Sequence, residues 1–175
     1  WSNPQNVLCS YELKNKVLKP GDNELSVPIT ADNAKLWSVE EPNLYMCQVT
    51  LEKGKNTLDQ SEKRFGFRWF EAAGIGKDAI FRLNGKRIVL RSAISWSFWP
   101  VNGIFPTKEL AKRQIEIAKE LGLNMLNFHR FIGHEDVLDY ADELGLLYFE
   151  EPGGFRLNVK EPFLNAVLHE KVLRM

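Results

Sequence analysis

Two different spacings of apolar residues divide the chain at about residue 72. Before that point, apolar and polar side chains alternate in segment 44–51, LYMCQVTL, which is typical of a half-buried β-strand. Segment 58–70 has the composition of the next strand, and two shorter strand candidates, 11–18 and 23–29, flank a Pro-Gly turn. Several short strands at this spacing favour an antiparallel β-sandwich.

Segment 80–90, IFRLNGKRIVL, carries the strongest local signal in the chain. Two strand-like runs flank Asn84-Gly85, a dipeptide preferred in type I′ turns because both central residues need positive φ. The segment therefore predicts a β-hairpin.

In the second half of the chain the apolar spacing becomes helical. Helices are predicted over 107–121 and 135–144, each followed by a glycine. Strand-like runs at 123–128 and 146–150 alternate with them, and a run beginning at Ile88 precedes them. This order is typical of βαβ units and a parallel sheet. Because a complete (β/α)8 barrel needs about 250 residues, the strands form either a small three-stranded sheet or the opening of a barrel.

The composition does not point to a nucleic acid, a membrane or a metal as partner. The chain has 23 basic and 23 acidic side chains, a balance that gives no indication of a nucleic-acid or anionic-membrane partner. No apolar run approaches the ~18 residues of a membrane-spanning helix. The two cysteines and three histidines show no metal-ligand spacing, so no metal site is predicted from them.

Four segments in this order and spacing resemble glycoside hydrolase family 2, which includes β-galactosidases, β-glucuronidases and β-mannosidases. They are LWSVEEPNLYMCQVTL (36–51), RFGFRWF (64–70), FRLNGKRIVLR (81–91) and DELGLLYFEE (142–151). The resemblance implies an immunoglobulin-like β-sandwich over residues 1–72. It further implies that 73–175 form the first three βα units of a catalytic (β/α)8 barrel.

The resemblance also implies what the chain does not contain. Family members use two glutamates, an acid/base after the fourth barrel strand and a nucleophile near the seventh, and both are expected beyond Met175. The ends, WSNPQN and LHEKVLRM, carry no start or stop signal, so we expect a fragment. Because it would lack both catalytic glutamates, we expect it to be inactive alone. Its expected partners are a carbohydrate substrate and the rest of the parent polypeptide. Family habit favours a periplasmic or secreted protein.

Glu150 and Glu151 end the last predicted strand. A retaining glycosidase needs two carboxyl groups ~5–5.5 Å apart that converge on one bond. Neighbours on a strand point to opposite faces, so these two are not the catalytic pair. Glu151 matches a family glutamate that lies near the active site and holds magnesium in some β-galactosidases. It is therefore a candidate polar support or metal ligand, unless it only pairs with a neighbouring cation; no other cofactor is expected.

The segment NMLNFHRFIGHED, 124–136, departs from the family pattern N-x-x-R-x-x-H-Y-P. Ungapped alignment on Asn124 places the family arginine at Asn127 and the family histidine at Arg130, whereas a one-residue slip places that histidine at His129. All three are candidate substrate-binding residues, since an arginine at a strand end hydrogen-bonds hydroxyls or a carboxylate. The alternative is that Arg130 pairs with a glutamate of the next strand.

The loop in LRSAISWSFWPVNG, 90–103, is rich in aromatic residues. Trp96 takes the position of another family histidine, and Ser92 that of a glycine. Trp96 and Trp99 are candidates for stacking on the apolar face of a sugar ring, although aromatic residues in such loops also serve only as packing.

Two functions therefore remain open. The first is a fragment of a retaining β-glycosidase acting on a β-galactoside, β-glucuronide or β-mannoside. The alternative is a non-catalytic carbohydrate-binding or structural module derived from the same family. The departures at Trp96, Asn127 and Arg130 leave the glycoside itself undetermined.

Overall fold

The computed structural model describes residues 7–14, 16–151, 166, 169, 170 and 173. The chain divides into two compact units, Trp1–Lys35 and Leu36–Met175. Among the residues described, no helix is long and apolar enough to cross a membrane.

The first unit contains the Pro-Gly turn, but its described residues form no regular strand. Gly21 adopts φ +92°. The Asn23 side chain closes the turn by accepting from the Lys19 N–H at 3.0 Å and donating to the Lys19 carbonyl at 2.9 Å. The strands predicted at 11–18 and 23–29 are therefore wrong over the residues that are described. An alternating sequence forms stable β-structure only where other strands pair with it.

The second unit begins with an antiparallel pair, β1 (Tyr45–Lys53) and β2 (Asn56–Phe65). The strand predicted at 58–70 therefore ends early. The predicted half-buried face of β1 is also wrong in its second half, where Val49 is 61% and Leu51 45% exposed. Within the described part of the chain these strands pair only with each other, and no layer covers that face.

A three-stranded antiparallel sheet follows, formed by β3 (Phe70–Ala73), β4 (Ile80–Leu83) and β5 (Lys86–Ile88). Asn84 and Gly85 connect β4 to β5 with φ +53° and +76°, as a type I′ turn requires. The predicted hairpin is confirmed.

Parallel strands and helices alternate in the rest of the unit. In chain order they are β6 (Ser92–Ser95), α1 (Lys108–Glu120), β7 (Met125–Phe128), α2 (Glu135–Leu144) and β8 (Leu147–Glu150). The strands form a parallel sheet in the order β6-β7-β8, as predicted. Its first strand starts later than predicted, because the run at Ile88 completes the hairpin and the parallel pairing begins at Ser92.

Both helices end on the residues that the sequence indicates. Thr107 is the N-cap of α1, and its hydroxyl accepts from the Leu110 N–H at 3.3 Å. Gly122 follows α1 with φ +76°, and Gly145 caps α2 with φ +80°. Glycine adopts this left-handed conformation without steric cost.

A buried core lies between these helices and the parallel sheet. It comprises Ala111, Ile115, Ala118, Leu126, Phe128, Val137, Ala141 and Leu146. Because this core fixes the strands in register, it also fixes the loops that follow their carboxyl ends.

Trp37 joins the strand-rich part of the second unit to α2. Its indole is fully buried, and its Nε1 donates to the Asp142 carbonyl at 2.7 Å. The Arg68 guanidinium lies 4.3 Å from the indole ring centre and pairs with the Asp142 carboxylate at 2.8 Å. Arg64 forms a second ion pair with α2, to Asp139 at 2.6 Å. The segment before β1, through Trp37, and the end of β2 with the residues after it, through Arg64 and Arg68, are thereby held against the helix.

Candidate functional site

Strand register brings three candidate residues together at the carboxyl edge of the parallel sheet. Ser95 pairs with Phe128, and Phe128 with Glu150. The residues that follow these three, Trp96, His129 and Glu151, are therefore neighbours. The carboxyl edge of such a sheet is where α/β proteins place ligand sites.

Trp96, His129 and Arg130 are in contact. The Trp96 and His129 rings meet edge to face, with centroids 4.7 Å apart. The Arg130 guanidinium carbon lies 5.8 Å from the centre of the Trp96 ring, within the range of a cation–π interaction. Because Trp96 is 60% exposed, part of its indole surface is available to a ligand.

Glu151 contacts two residues of this cluster, Arg130 and His129. Its Oε2 accepts from the Arg130 backbone N–H at 2.9 Å, and its Oε1 lies 3.3 Å from His129 Nδ1. The Arg130 N–H is the main reason that the pKa of Glu151 lies below its ordinary value. Hydrogen bonds from the His129 and Asn127 side chains lower this pKa further, against a raising effect of desolvation. Glu151 is therefore a carboxylate at neutral pH.

Asn127 supplies a polar group from within β7. It pairs with Ile94 on one side and Phe149 on the other, so it lies on a face whose flanking residues are 60% and 55% exposed. Its Oδ1 is buried and has no hydrogen-bond partner among the described residues. An unpaired buried acceptor is costly, and a ligand hydroxyl would satisfy it.

Glu150 points to a different partner from Glu151. Its Oε1 accepts from the Gly133 N–H at 2.7 Å. Burial raises the pKa of Glu150, while the hydrogen bond from Gly133 opposes this effect. The two adjacent carboxylates thus diverge, as strand alternation predicts, and they do not form a converging pair. Arg130 contacts Glu151 through its backbone N–H, and the alternative that its guanidinium pairs with one of the two glutamates stays a prediction.

Trp99 lies apart from the cluster in its packing. Its N–H and carbonyl bond Gly103 at 2.7 and 2.8 Å, and its side chain packs against the core beneath α1. It lines, together with Trp96, an open depression of about 320 Å³ over α1 that includes Arg113 and Gln114. Trp99 is therefore half-buried, whereas Trp96 is exposed, and a sugar contact of Trp99 stays a prediction.

Two features of the site carry no signal in the sequence. Ser97 is buried at φ +47°, and its hydroxyl has no partner among the described residues. Arg130 also adopts positive φ, +58°. Non-glycine residues in this region of conformation are uncommon and concentrate at functional sites. Neither serine nor arginine is a residue type that predicts it.

Glu151 as a magnesium ligand stays a prediction, since the described residues supply few of the other ligands that the ion needs. Magnesium requires several oxygen ligands in an octahedral arrangement. No group of three or more Asp, Glu, His or Cys side chains suited to a metal occurs in the part of the chain that is described. Both oxygens of Glu151 are engaged by residues of the loop after β7.

Comparisons with known proteins agree on one family. The model of the glycosyl hydrolases family 2 matches residues 3–68. A β-galactosidase of Thermoanaerobacter pseudethanolicus is 31% identical over 98% of this chain and 23% of its own length. A β-galactosidase of Thermoanaerobacterium thermosulfurigenes is 35% identical over 70% of the chain and 16% of its own length.

The same relationship is present in solved structures. A β-glucuronidase of Bacteroides uniformis superposes with a TM-score of 0.68 and 30% identity, over 85% of this chain and 17% of its own. The chain spans less than a quarter of the length of each of these relatives. Agreement in sequence and in backbone over most of its length shows that the chain belongs to glycosyl hydrolase family 2.

Proposed function

We propose that this chain is part of a retaining β-glycosidase and that its cluster at the carboxyl edge of the parallel sheet contacts the sugar. Residues 1–72 belong to an immunoglobulin-like sandwich and 73–175 to the first three βα units of a (β/α)8 barrel. The observation that carries the proposal is that Trp96 contacts His129 and Arg130, and that both of these residues contact Glu151.

The chemistry of the cluster suits a pyranose. The exposed indole of Trp96 offers an apolar surface to a ring face. Arg130 supplies donors for a hydroxyl or carboxylate oxygen, and the Asn127 Oδ1 accepts from a hydroxyl. Relatives named β-galactosidase and β-glucuronidase support a β-galactoside or β-glucuronide as substrate; a β-mannoside is the remaining member of the expected group.

The catalytic carboxyl groups belong to residues beyond Met175. Retaining hydrolysis needs two of them ~5–5.5 Å apart on either side of the bond. Glu150 and Glu151, the two adjacent carboxylates at this edge, are directed to Gly133 and Arg130 instead. In this proposal the chain alone is inactive, and it contributes residues that bind and orient the sugar.

Hydrolysis of aryl β-glycosides tests this proposal. The 175-residue chain and the natural polypeptide that carries it are compared on nitrophenyl β-galactoside, β-glucuronide and β-mannoside, both purified from a host without these activities. We expect turnover of at least one substrate by the natural polypeptide and none by the chain. Turnover by the chain alone, or none by the natural polypeptide on any of the three, contradicts the proposal.

A carbohydrate-binding module is the second candidate, and the exposure of Trp96 favours it. It predicts sugar-dependent quenching of tryptophan fluorescence in a natural polypeptide without hydrolytic activity. Trp96→Phe removes the quenching if this indole contacts the sugar, whereas Trp99→Phe, in a packing environment, leaves it in place. If no sugar quenched the fluorescence, a structural module would be the remaining candidate.

A further inference from the structure

The loop between β7 and α2, residues 129–134, is held from β8 at several points. The Glu151 carboxylate accepts from the Arg130 N–H at 2.9 Å, and the Glu151 N–H donates to the Phe131 carbonyl at 3.4 Å. At the other end of the loop, the Glu150 carboxylate accepts from the Gly133 N–H at 2.7 Å. Glu150, the last residue of β8, and the adjacent Glu151 thus contact both ends of this loop.

The loop follows a path that needs such support. Arg130 has φ +58°, a conformation that costs a non-glycine residue roughly 1–2 kcal/mol. Gly133 is so closely packed that a Cβ there would lie 2.7 Å from Leu138 Cδ2, 2.9 Å from Phe128 Cε2 and 3.1 Å from Glu150 Oε1. Because the loop is strained at one end and enclosed at the other, these hydrogen bonds support its path, in addition to the bond from the His129 N–H to the Ser95 carbonyl at 3.0 Å.

The contact with Glu151 also determines the state of His129. An ionised carboxylate only accepts hydrogen bonds, so the His129 Nδ1, 3.3 Å from Oε1, is the donor. In a neutral imidazole the other nitrogen, Nε2, then carries a lone pair. The His129 side chain is 22% exposed, so part of the imidazole is accessible from solvent.

We propose that Glu150 and Glu151 are positioning residues that hold the 129–134 loop at its two ends, and that Glu151 fixes the proton of His129 on Nδ1 so that Nε2 accepts from a sugar hydroxyl. The sugar part of this inference rests on the proposed function. Arg130 and His129 then present a donor and an acceptor side by side, a combination that matches a hydroxyl, which both accepts and donates.

The proton position is measured directly in the natural polypeptide. Ring ¹⁵N shifts of labelled histidine, with His129→Gln to assign the signal, are expected to show protonated Nδ1 and unprotonated Nε2 when the imidazole is neutral. Glu151→Ala should convert His129 to the Nε2–H form that free histidine prefers. A wild-type Nε2–H form, or a tautomer unchanged in Glu151→Ala, overturns the inference. The wild-type measurement stands even if the variant does not fold.

The second hold is read from the exchange of the Gly133 amide hydrogen. In Glu150→Ala the Gly133 amide should lose its protection from exchange. In Glu150→Gln it should keep this protection, because the side-chain amide oxygen still accepts. Glu135→Gln, on the exposed start of α2, is the matched control and should change nothing. Unchanged exchange in folded Glu150→Ala refutes this part.

Sugar recognition separates this inference from the proposed function. In an active natural polypeptide, Glu150→Ala should raise KM about fivefold or more with a smaller effect on kcat, and Glu150→Gln should restore KM. Absence of hydrolysis by the wild-type polypeptide would refute the proposed glycosidase activity, but not the proposed His129 tautomer or the loop contacts. The expected tautomer and exchange with an unchanged KM would refute only the role of the loop in sugar binding.

Discussion

Replacing Gly145 by alanine tests how tightly the segment before β1 is held against the end of α2. A Cβ at Gly145 would lie 2.3 Å from the Val39 carbonyl oxygen and 3.2 Å from Lys119 Nζ. The nearest atom is a backbone oxygen, and Lys119 Nζ donates to both the Val39 and Gly145 carbonyls at 2.9 Å. The overlap therefore cannot be relieved by a side chain that moves away. The left-handed conformation, φ +80°, costs alanine about 1–2 kcal/mol, and overpacking adds about 1–3 kcal/mol. The expected loss of unfolding free energy is therefore about 2–5 kcal/mol.

Gly122→Ala is the matched control for this substitution. Gly122 follows α1 with φ +76°, but nothing lies within 4 Å of a Cβ built there, so only the conformational cost of about 1–2 kcal/mol applies. Urea unfolding of the natural polypeptide measures both variants, with equal m-values required for the comparison. Equal losses for Gly145→Ala and Gly122→Ala would refute the close approach of Val39 to α2.

Two further predictions concern a buried indole and a half-buried carboxylate. Trp37→Phe removes the donor to the Asp142 carbonyl and should cost about 1–3 kcal/mol in urea unfolding; a loss below experimental error would show that the hydrogen bond is not formed. The pKa of Glu150 is raised by burial, so between its unfolded and folded pKa values the folded state binds more protons. Stability should therefore fall as pH rises through that window. Glu150→Gln should remove this slope, and an identical pH profile would contradict it.

Local chemistry accounts for the elements that the sequence predicts correctly. The Asn84-Gly85 turn requires two positive φ angles, and the φ values of +53° and +76° supply them. Thr107, Gly122 and Gly145 determine the helix ends through contacts within one turn. Such features depend on near neighbours in the chain and can be read from it.

Strands depend on partners that are distant in sequence. Segment 23–29 has an alternating pattern but no pairing in the described chain, and segment 58–70 pairs only as far as Phe65. The apolar run at Ile88 is compatible with a hairpin strand and with a parallel strand. Ile88 pairs with Phe81 in the structure, so the run belongs to the hairpin. Pattern alone does not specify which strand will provide the hydrogen bonds.

The meeting of the candidate residues follows from topology, but their contacts do not. The rule that carboxyl ends of parallel strands share one edge brings Trp96, His129 and Glu151 together. It does not distinguish Trp99, whose ring packs against the core beneath α1, from Trp96, which is 60% exposed. Both are aromatic residues of one short loop, so only packing separates them.

The adjacent pair Glu150 and Glu151 shows where an argument from strand alternation ends. Alternation correctly places the two carboxylates on opposite sides, which excludes a converging pair. It does not show that a loop passes both sides of the strand end, so that Gly133 is within reach of one carboxylate and Arg130 of the other. Divergent side chains that cannot share one ligand can still hold one loop, and the path of the 129–134 loop is the reason to propose that role for these two acidic residues.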